Sequence, residues 1–417
     1  MHISYGQDCE NILPESYGVP LELGDYKYIK QEKRKVYDFV GFIINDSNTL
    51  AVFPKHFYNE SDLSNLNSTI SNQFEDVSLL FQVLCKYIYN DLKSSKANRY
   101  YGSVPEYEAD YPFKAFFDVY DYYKKYGIYF QEDNHIVKGQ TGKISWKHTI
   151  QKANTVISNG NLLFVPLYSK KKNIKNDFIS ECMVFVINHT IESFPFLLNL
   201  SPVSGSSKNN NLINNRAYIL KLLYQEKNLM FKDIHKKLVS SLIQFFEEFD
   251  SKKHGGNIHL KINYFNNIWQ TMVNKYLNDC FIGISATEDE ILFDDSLQKS
   301  AVSFDKQTIH IDDSNNDFYI ELDHYGIAAD EQYIFDSKYY FELRDLNYKQ
   351  FTYDVILDYK ANISRKTKTY SALLLPGDKQ NGFHFRLKPV FGKLAEKDHE
   401  IINQYLNVKK IMQHYIR

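Results

Sequence analysis

Apolar residues recur along this chain with two periods, every second position in some stretches and every third or fourth in others, and the switches between them mark out its elements. VYDFVGFIINDSNTLAVFPKHF, residues 36–57, holds two apolar runs separated by Asn45, Asp46, Ser47 and Asn48, which predicts a hairpin in a β-rich N-terminal module. After the polar run from Asn59 to Asn72, Val77, Leu80, Leu84, Tyr87 and Ile88 recur at helical spacing, so the chain turns helical. FKAFFDVYDYYKKYG continues that period and stops at Gly127, and two more helices are expected over Asn214 to Leu223 and Phe231 to Phe249. SPVSGSSKNNNLINN (201–215) reads as an exposed loop, and KKHGG (252–256) as a hinge before the last part of the chain.

From about residue 261 the periods fall into a recognisable order. YFNNIWQTMVNKYLNDCF predicts a helix, QTIHID a strand, FYIELDHYGI and QYIFDSKYY a strand pair, Leu346 to Lys360 a second helix, TYSALLLP a buried strand and FHFRLKPV another. Helix, three strands, helix, strand is a compact α/β pattern. The expected organisation is an α/β, or α+β multidomain, chain: a β-rich module over 1–65, a mainly helical middle region over 66–258, and a C-terminal domain over 259–417.

Composition narrows the range of partners. The 417 residues are enough for two or three domains, and a net charge of -2 leaves no strong overall field, so any nucleic-acid contact must come from a local patch. Tyr (33) and Phe (30) are frequent, but a general compositional bias explains them as well as base stacking does. The segment MHISYGQDCE lacks a basic stretch followed by an apolar run, and no 18-residue apolar stretch occurs, so neither a signal peptide nor a membrane span is expected. Cys9, Cys85, Cys182 and Cys280 are scattered, without CxxC or zinc-ligand spacing, and read as reduced thiols of a cytoplasmic protein.

Chemistry concentrates in the strand pair. In YIFDSKYY (333–340), alternation points Ile334, Asp336, Lys338 and Tyr340 to one face. With a hairpin closed by Ala328, Ala329, Asp330 and Glu331, Ile327 faces Gln332, Asp323 faces Asp336 and Glu321 faces Lys338. Opposed Cβ atoms lie roughly 5 Å apart, so two carboxylates there repel unless a proton or a cation sits between them. Mg²⁺ suits such a pair, because it takes one or two carboxylates and leaves other positions to water and phosphate. A lysine alongside orients the attacking water and offsets the charge that grows on a phosphoryl centre. Spacing alone leaves a second reading open, with Asp323 in a solvated turn and Asp336 and Lys338 an exposed pair of little energetic weight. A slip of one residue would also part the acids.

At these residues the sequence resembles the PD-(D/E)xK nucleases, and within them the LlaJI-type restriction endonucleases, which are McrC-like. FDSKYY followed by YKQFTY is similar to that group's Asp-x-Lys strand and the helix after it. FVGFIINDSNTLAVFPKHF, SLLFQVL and GQTGKISWKHTI (with Trp146, Thr149 and Ile150) are similar to its N-terminal strands, first helix and middle motif. The resemblance implies a C-terminal PD-(D/E)xK core of α-β-β-β-α-β order, with Asp323 and Asp336 as metal ligands, Lys338 as the catalytic lysine and Gln350 beside the site. Two positions depart from the family pattern. Leu322 stands where a proline usually precedes the upstream acid, which leaves Glu321 or Asp317 as alternative ligands, and Gln270 stands where many such nucleases carry a helical Glu.

Other signals carry less. GQTGKI lacks the spacing and the hydroxyl residue of a phosphate loop, so nucleotide binding there is rejected. Trp146 is expected to pack. SKKKNIKN (169–176) reads as solvated surface, whereas KANISRKTK (360–368), with Lys360, Arg365, Lys366 and Lys368, comes directly after the site helix and is a candidate DNA-backbone contact. Gln350 and Tyr353 share a helix face; Tyr353 reads as a buried anchor that also borders the site, and Gln350 as a residue positioning water or the lysine. His324 reads as a turn residue.

The resemblance implies the nuclease subunit of a restriction system acting on double-stranded DNA with Mg²⁺, partnered by a McrB-like AAA+ GTPase, with a homodimer suited to double-strand cleavage. Two rivals stand beside it: an interaction subunit whose nuclease fold is inactive and which stimulates a partner NTPase, and a stand-alone nuclease acting on RNA or branched DNA.

Overall fold

Val40–Ile44 and Asn48–Phe53 are buried along almost their whole length, which alternation alone would not require, so both of their faces are covered. They form the expected antiparallel hairpin, with Gly41 opposite Val52 and Ile44 opposite Thr49. His2–Gln7 adds a parallel strand on one side, and Ile258–Ile262 and Tyr107–Ala109 add antiparallel strands on the other, completing a five-stranded sheet. In this computed structural model the described residues are all but 1, 13–17, 31, 46–47, 69–73, 92–99, 102–103, 176–177, 205–214, 250–256, 298, 313, 316, 365–367 and 389–398. The expected hinge at 252–256 and most of the expected loop at 201–215 therefore lie outside them.

The second large sheet has six strands, in the order Asp305–His310, Tyr319–Ala328, Glu331–Ser337, Lys368–Pro376, Glu400–Leu406 and Gly382–Arg386. The first three run antiparallel. Glu331–Ser337, Lys368–Pro376 and Glu400–Leu406 run parallel to one another, and a parallel pair needs a crossover, which the helix Tyr348–Ser364 supplies between the first two. That helix covers one face through Tyr353 and Leu357, which pack with Ile320, Leu322 and Ile334. The helix Phe265–Cys280 buries Trp269 completely, and the indole donates to Leu374 O at 3.3 Å. The order helix, three strands, helix, strand is present but interrupted, since Phe281–Ile284 and Ile291–Phe293 pair between the first helix and the three strands, and further strands and the helix Val408–Ile416 follow.

The chain divides into two compact units, but not at the expected boundaries of 65/66 and 258/259. One unit comprises Met1–Tyr111 together with Ser251–Arg417, and the other Pro112–Asp250. The physical reason is strand exchange: Ile258–Ile262 belongs by sequence to the C-terminal part, yet it pairs with Val40–Ile44 inside the N-terminal sheet. The second unit packs the helix Phe113–Tyr126, with Gly127 directly after it, against Phe178–Ser193 and Asp233–Glu248, and adds Arg216–Leu229. It is less purely helical than expected. Gln131–Lys138, Lys143–Ile144 and Tyr168–Lys175 form a three-stranded sheet, and Asn154–Ser158 pairs with Asn161–Val165. The expected packing of Trp146 is not found: it opens the helix Trp146–Lys152 with 55% of its surface exposed. No helix among the described residues is long and apolar enough to cross a membrane.

Gly41 is a point of close approach within the N-terminal sheet. Its φ is +142°, and a Cβ there would lie 2.3 Å from Leu260 O and 2.7 Å from Lys261 Cα. Gly41→Ala is therefore expected to destabilise the protein by roughly 2 kcal/mol or more, read as a lower denaturation midpoint in urea.

Candidate active site

The pairing of Tyr319–Ala328 with Glu331–Ser337 places Ile327 opposite Gln332 and His324 opposite Phe335, the register inferred from the position of the turn. The turn is tighter than expected. Ala328 and Glu331 are themselves paired, and the loop is Ala329 and Asp330, with Ala329 at φ +48°. The ladder ends at His324 and Phe335, so Glu321 never reaches Lys338. A bulge against Asp305–His310 displaces this part of the strand, and Glu321 instead lies opposite Thr308 and 3.6 Å from Lys306 Nζ. Asp317 lies in the exposed turn before the strand.

Asp323 and Asp336 do converge. Asp336 is buried, and the Lys338 ammonium stands 2.6 Å from its Oδ2 in an ion pair whose angles do not make it a hydrogen bond. Asp323 Oδ2 accepts from Ser337 N at 3.2 Å. Burial, together with the adjoining Asp336 carboxylate, raises the pKa of Asp323 to about 7, against the opposing pull of Lys338 and Lys349. Without a cation, then, the pair holds a proton near neutrality.

Asp323 opens into a cleft of about 580 Å³ lined also by Lys338, Gln270, Lys349, Tyr264 and Tyr340, and Asp336 lies buried behind it. The N-terminal sheet supplies its other wall, through Asp8, Asp38 and Lys55. Gln270 reaches it from the helix Phe265–Cys280. Asp323 and Gln270 also border a second hollow, with Asn274, Asp305 and Lys306.

The other expected residues fall into place differently. Gln350 is fully buried and donates from Nε2 to Ile334 O at 2.7 Å and to Ser371 Oγ at 2.8 Å, so it fixes the Asp336 strand from behind and does not line the cleft. Tyr353 is buried beside it in the cluster under the helix. His324 is no turn residue. It is completely buried in mid-strand, with Nδ1 3.2 Å from Asn274 Nδ2 and Nε2 2.7 Å from Ser337 Oγ, and burial drives its pKa down to about 4. Because the Asn274 amide donates to Nδ1, the neutral ring carries its proton on Nε2 and donates to Ser337, the residue between Asp336 and Lys338.

Of the four basic residues expected at DNA, Arg365 and Lys366 lie outside the described residues. Lys368 aligns with Glu331, five residues of strand or about 17 Å from Asp336, and pairs with Glu288. Lys360 stands near the far end of a helix whose first turn borders the cleft. A basic run after the site helix would meet the site only if the chain stayed close to it, and a helix of this length carries the chain away.

Lys55 and Lys349 also line the cleft; Lys55 is not expected from the sequence pattern, whereas Lys349 lies in the YKQFTY stretch that carries the family resemblance. Lys55 N donates to the Tyr339 hydroxyl at 2.8 Å, while its ammonium donates to Tyr339 O at 3.2 Å and lies 3.7 Å from Asp8 Oδ2. Burial raises the pKa of Asp8 despite Lys55. His56 meets Phe341 O at 2.8 Å, so the N-terminal sheet holds the segment just after the Asp-x-Lys strand at two points. Lys349 carries the only sequence signal of the two, its place beside Gln350 at a helix start.

The donor set fits a hard divalent cation: two carboxylates, one with a buried oxygen that makes no hydrogen bond, beside open space for water and phosphate. Among the described residues no cluster of three or more His, Cys, Asp or Glu side chains forms a cage, so any cation here would rely on water or substrate for further ligands. The raised Asp323 carboxyl gives a pH signature. In chelating buffer the unfolded chain loses this proton near pH 4 and the folded chain near pH 7, so its contribution to stability is present below about pH 4 and is lost as pH rises to about 7. Asp323→Asn is expected to melt a few degrees above the parent at pH 8 and to match it near pH 4, by thermal denaturation run in parallel.

The family model described as LlaJI restriction endonuclease matches residues 39–394, a span that includes the N-terminal hairpin, the middle unit and all three residues of the carboxylate and lysine site. No curated protein matches the sequence. With most of the chain matched, the protein belongs to the LlaJI restriction endonuclease family, a family of restriction nucleases.

Proposed function

We propose that this chain is a divalent-cation-dependent endodeoxyribonuclease that hydrolyses phosphodiester bonds of double-stranded DNA. The observation that carries the reading is the convergence of Asp323, Asp336 and Lys338 from adjoining strands on one cleft, in a chain of a restriction endonuclease family. The reading takes these residues as a PD-(D/E)xK site, with Mg²⁺ as the natural cation for an oxygen-only donor pair.

Asp323 and Asp336 would hold the cation, which supplies Lewis-acid polarisation of a phosphoryl oxygen and neutralises developing charge. The chain's own residues do the rest. Lys338, two positions beyond Asp336 and just past the end of that strand, lines the cleft, where its ammonium would orient water and donate to the growing negative charge. Gln350 keeps the strand still through Ile334, and neutral His324 keeps Ser337, and with it the spacing of acid and lysine, in place.

The same family resemblance supports a McrB-like AAA+ GTPase partner that recognises and translocates DNA, a homodimer for double-strand cleavage, and a cytoplasmic restriction system. The N-terminal and middle regions are the proposed partner surfaces.

Duplex DNA incubated with the full chain, with and without that partner, is expected to be cut only when Mg²⁺ is present. Asp336→Ala and Lys338→Ala each lower the rate by about 10²-fold or more. Equal cutting by Asp336→Ala would remove the proposal, and stimulation of the partner's GTPase without any cleavage would favour an interaction subunit. Mg²⁺ is also expected to raise the melting temperature of the parent protein but not of Asp323→Asn, a binding readout independent of turnover.

A further inference from the structure

The helix Tyr348–Ser364 begins at the cleft, where Asn347 Oδ1 caps it by accepting from Gln350 N at 3.0 Å. Its first turn holds no acidic residue and does hold Lys349. A cation at a helix start is disfavoured by the helix dipole, so something anionic must be set against it. Part of that is the carboxylate pair: burial lowers the Lys349 pKa, but Asp336, Tyr353 and Asp323 outweigh it and leave the ammonium more firmly charged than usual.

The three lysines of the cleft lining are not equivalent. Lys338 is 2.6 Å from Asp336, and Lys55 is tied to Asp8 and to Tyr339. Lys349 is exposed, and among the described residues no carboxylate lies within ion-pair distance of it. Its ammonium rests 5.3 Å from the ring centre of Tyr353, which is itself fixed in the buried cluster beneath the helix. A rigid ring therefore holds a charged amine at the cleft mouth, beside a helix terminus of the same sign and within the field of both carboxylates. Once a cation neutralises Asp323 and Asp336, their pull on Lys349 weakens and its exposed ammonium is open to an anionic ligand.

We propose that Lys349 is a substrate-binding residue that grips a backbone phosphate of the DNA next to the one presented to Asp323 and Asp336. The assignment rests on the nuclease reading and adds a residue to it. Positive charge from the helix start and from Lys349 acts on the same anion, while Lys338 stays committed to the reacting centre.

Salt dependence of binding separates this role from a structural one, because each neutralised phosphate contributes about 0.9 to the slope of log affinity against log salt. Binding of a short labelled duplex is measured by fluorescence anisotropy with the full chain carrying Asp336→Ala, so that no cutting intervenes. Adding Lys349→Gln is expected to weaken binding several-fold at low salt and to reduce the slope by about 0.9. Lys349→Arg keeps the slope, and Lys360→Gln, at the other end of the same helix, leaves it unchanged. An unchanged slope in Lys349→Gln, or an equal loss in Lys360→Gln, overturns the assignment while leaving the nuclease reading intact. Failure of Asp336→Ala itself to bind duplex removes the nuclease reading, and this inference with it.

Discussion

Two acids held side by side in a half-buried cleft repel, and the surroundings of Asp323 and Asp336 answer that repulsion. Burial, the shared proton, the ammonium of Lys338 and the backbone N–H of Ser337 each bear on it, the first by favouring the protonated form and the others by relieving the charge. A fold would gain by separating such groups, and this one instead uses strand pairing, a helix crossover and a buried glutamine to keep them together. Stability is surrendered locally, and the proposed divalent cation would offset that loss by binding there. That is the pattern expected where a perturbed acid marks a working site.

The N-terminal sheet takes part in this site. Tyr339 comes directly after Lys338, and its hydroxyl and carbonyl both engage Lys55, while His56 engages Phe341. These contacts tie the first sheet to the segment that directly follows Lys338. Regulation from outside the nuclease core has a short physical path through Lys55 and Tyr339, two hydrogen bonds and a ring contact, along which to act.

The hairpin register was legible because Ala328 to Glu331 mark where the chain turns between two apolar strands, and antiparallel partners then keep a constant sum of residue numbers. The turn length was not, since Ala329 adopts a left-handed conformation that the sequence does not advertise. His324 was misread because its burial depends on Asn274 and Ser337, partners supplied by tertiary structure. Lys55 meets Tyr339 across much of the chain's length, a proximity that no local pattern encodes. The Asn154–Val165 hairpin, by contrast, was available: Asn159 and Gly160 between two β-rich runs are a strong turn signal, and both adopt positive φ. The expectation of a helical middle region passed over it.

Tyr107–Ala109 and Ile258–Ile262 lie side by side and antiparallel, with Leu260 against Ala109. In ordinary hairpins a few residues join such neighbours; here the connection is the entire Pro112–Asp250 unit. The chain leaves the sheet and re-enters it at adjoining points, so the segment threaded between them is an insert whose size the scaffold does not sense. A longer or shorter connection between the same two strands would leave their pairing, and the sheet beside the candidate site, geometrically unaltered.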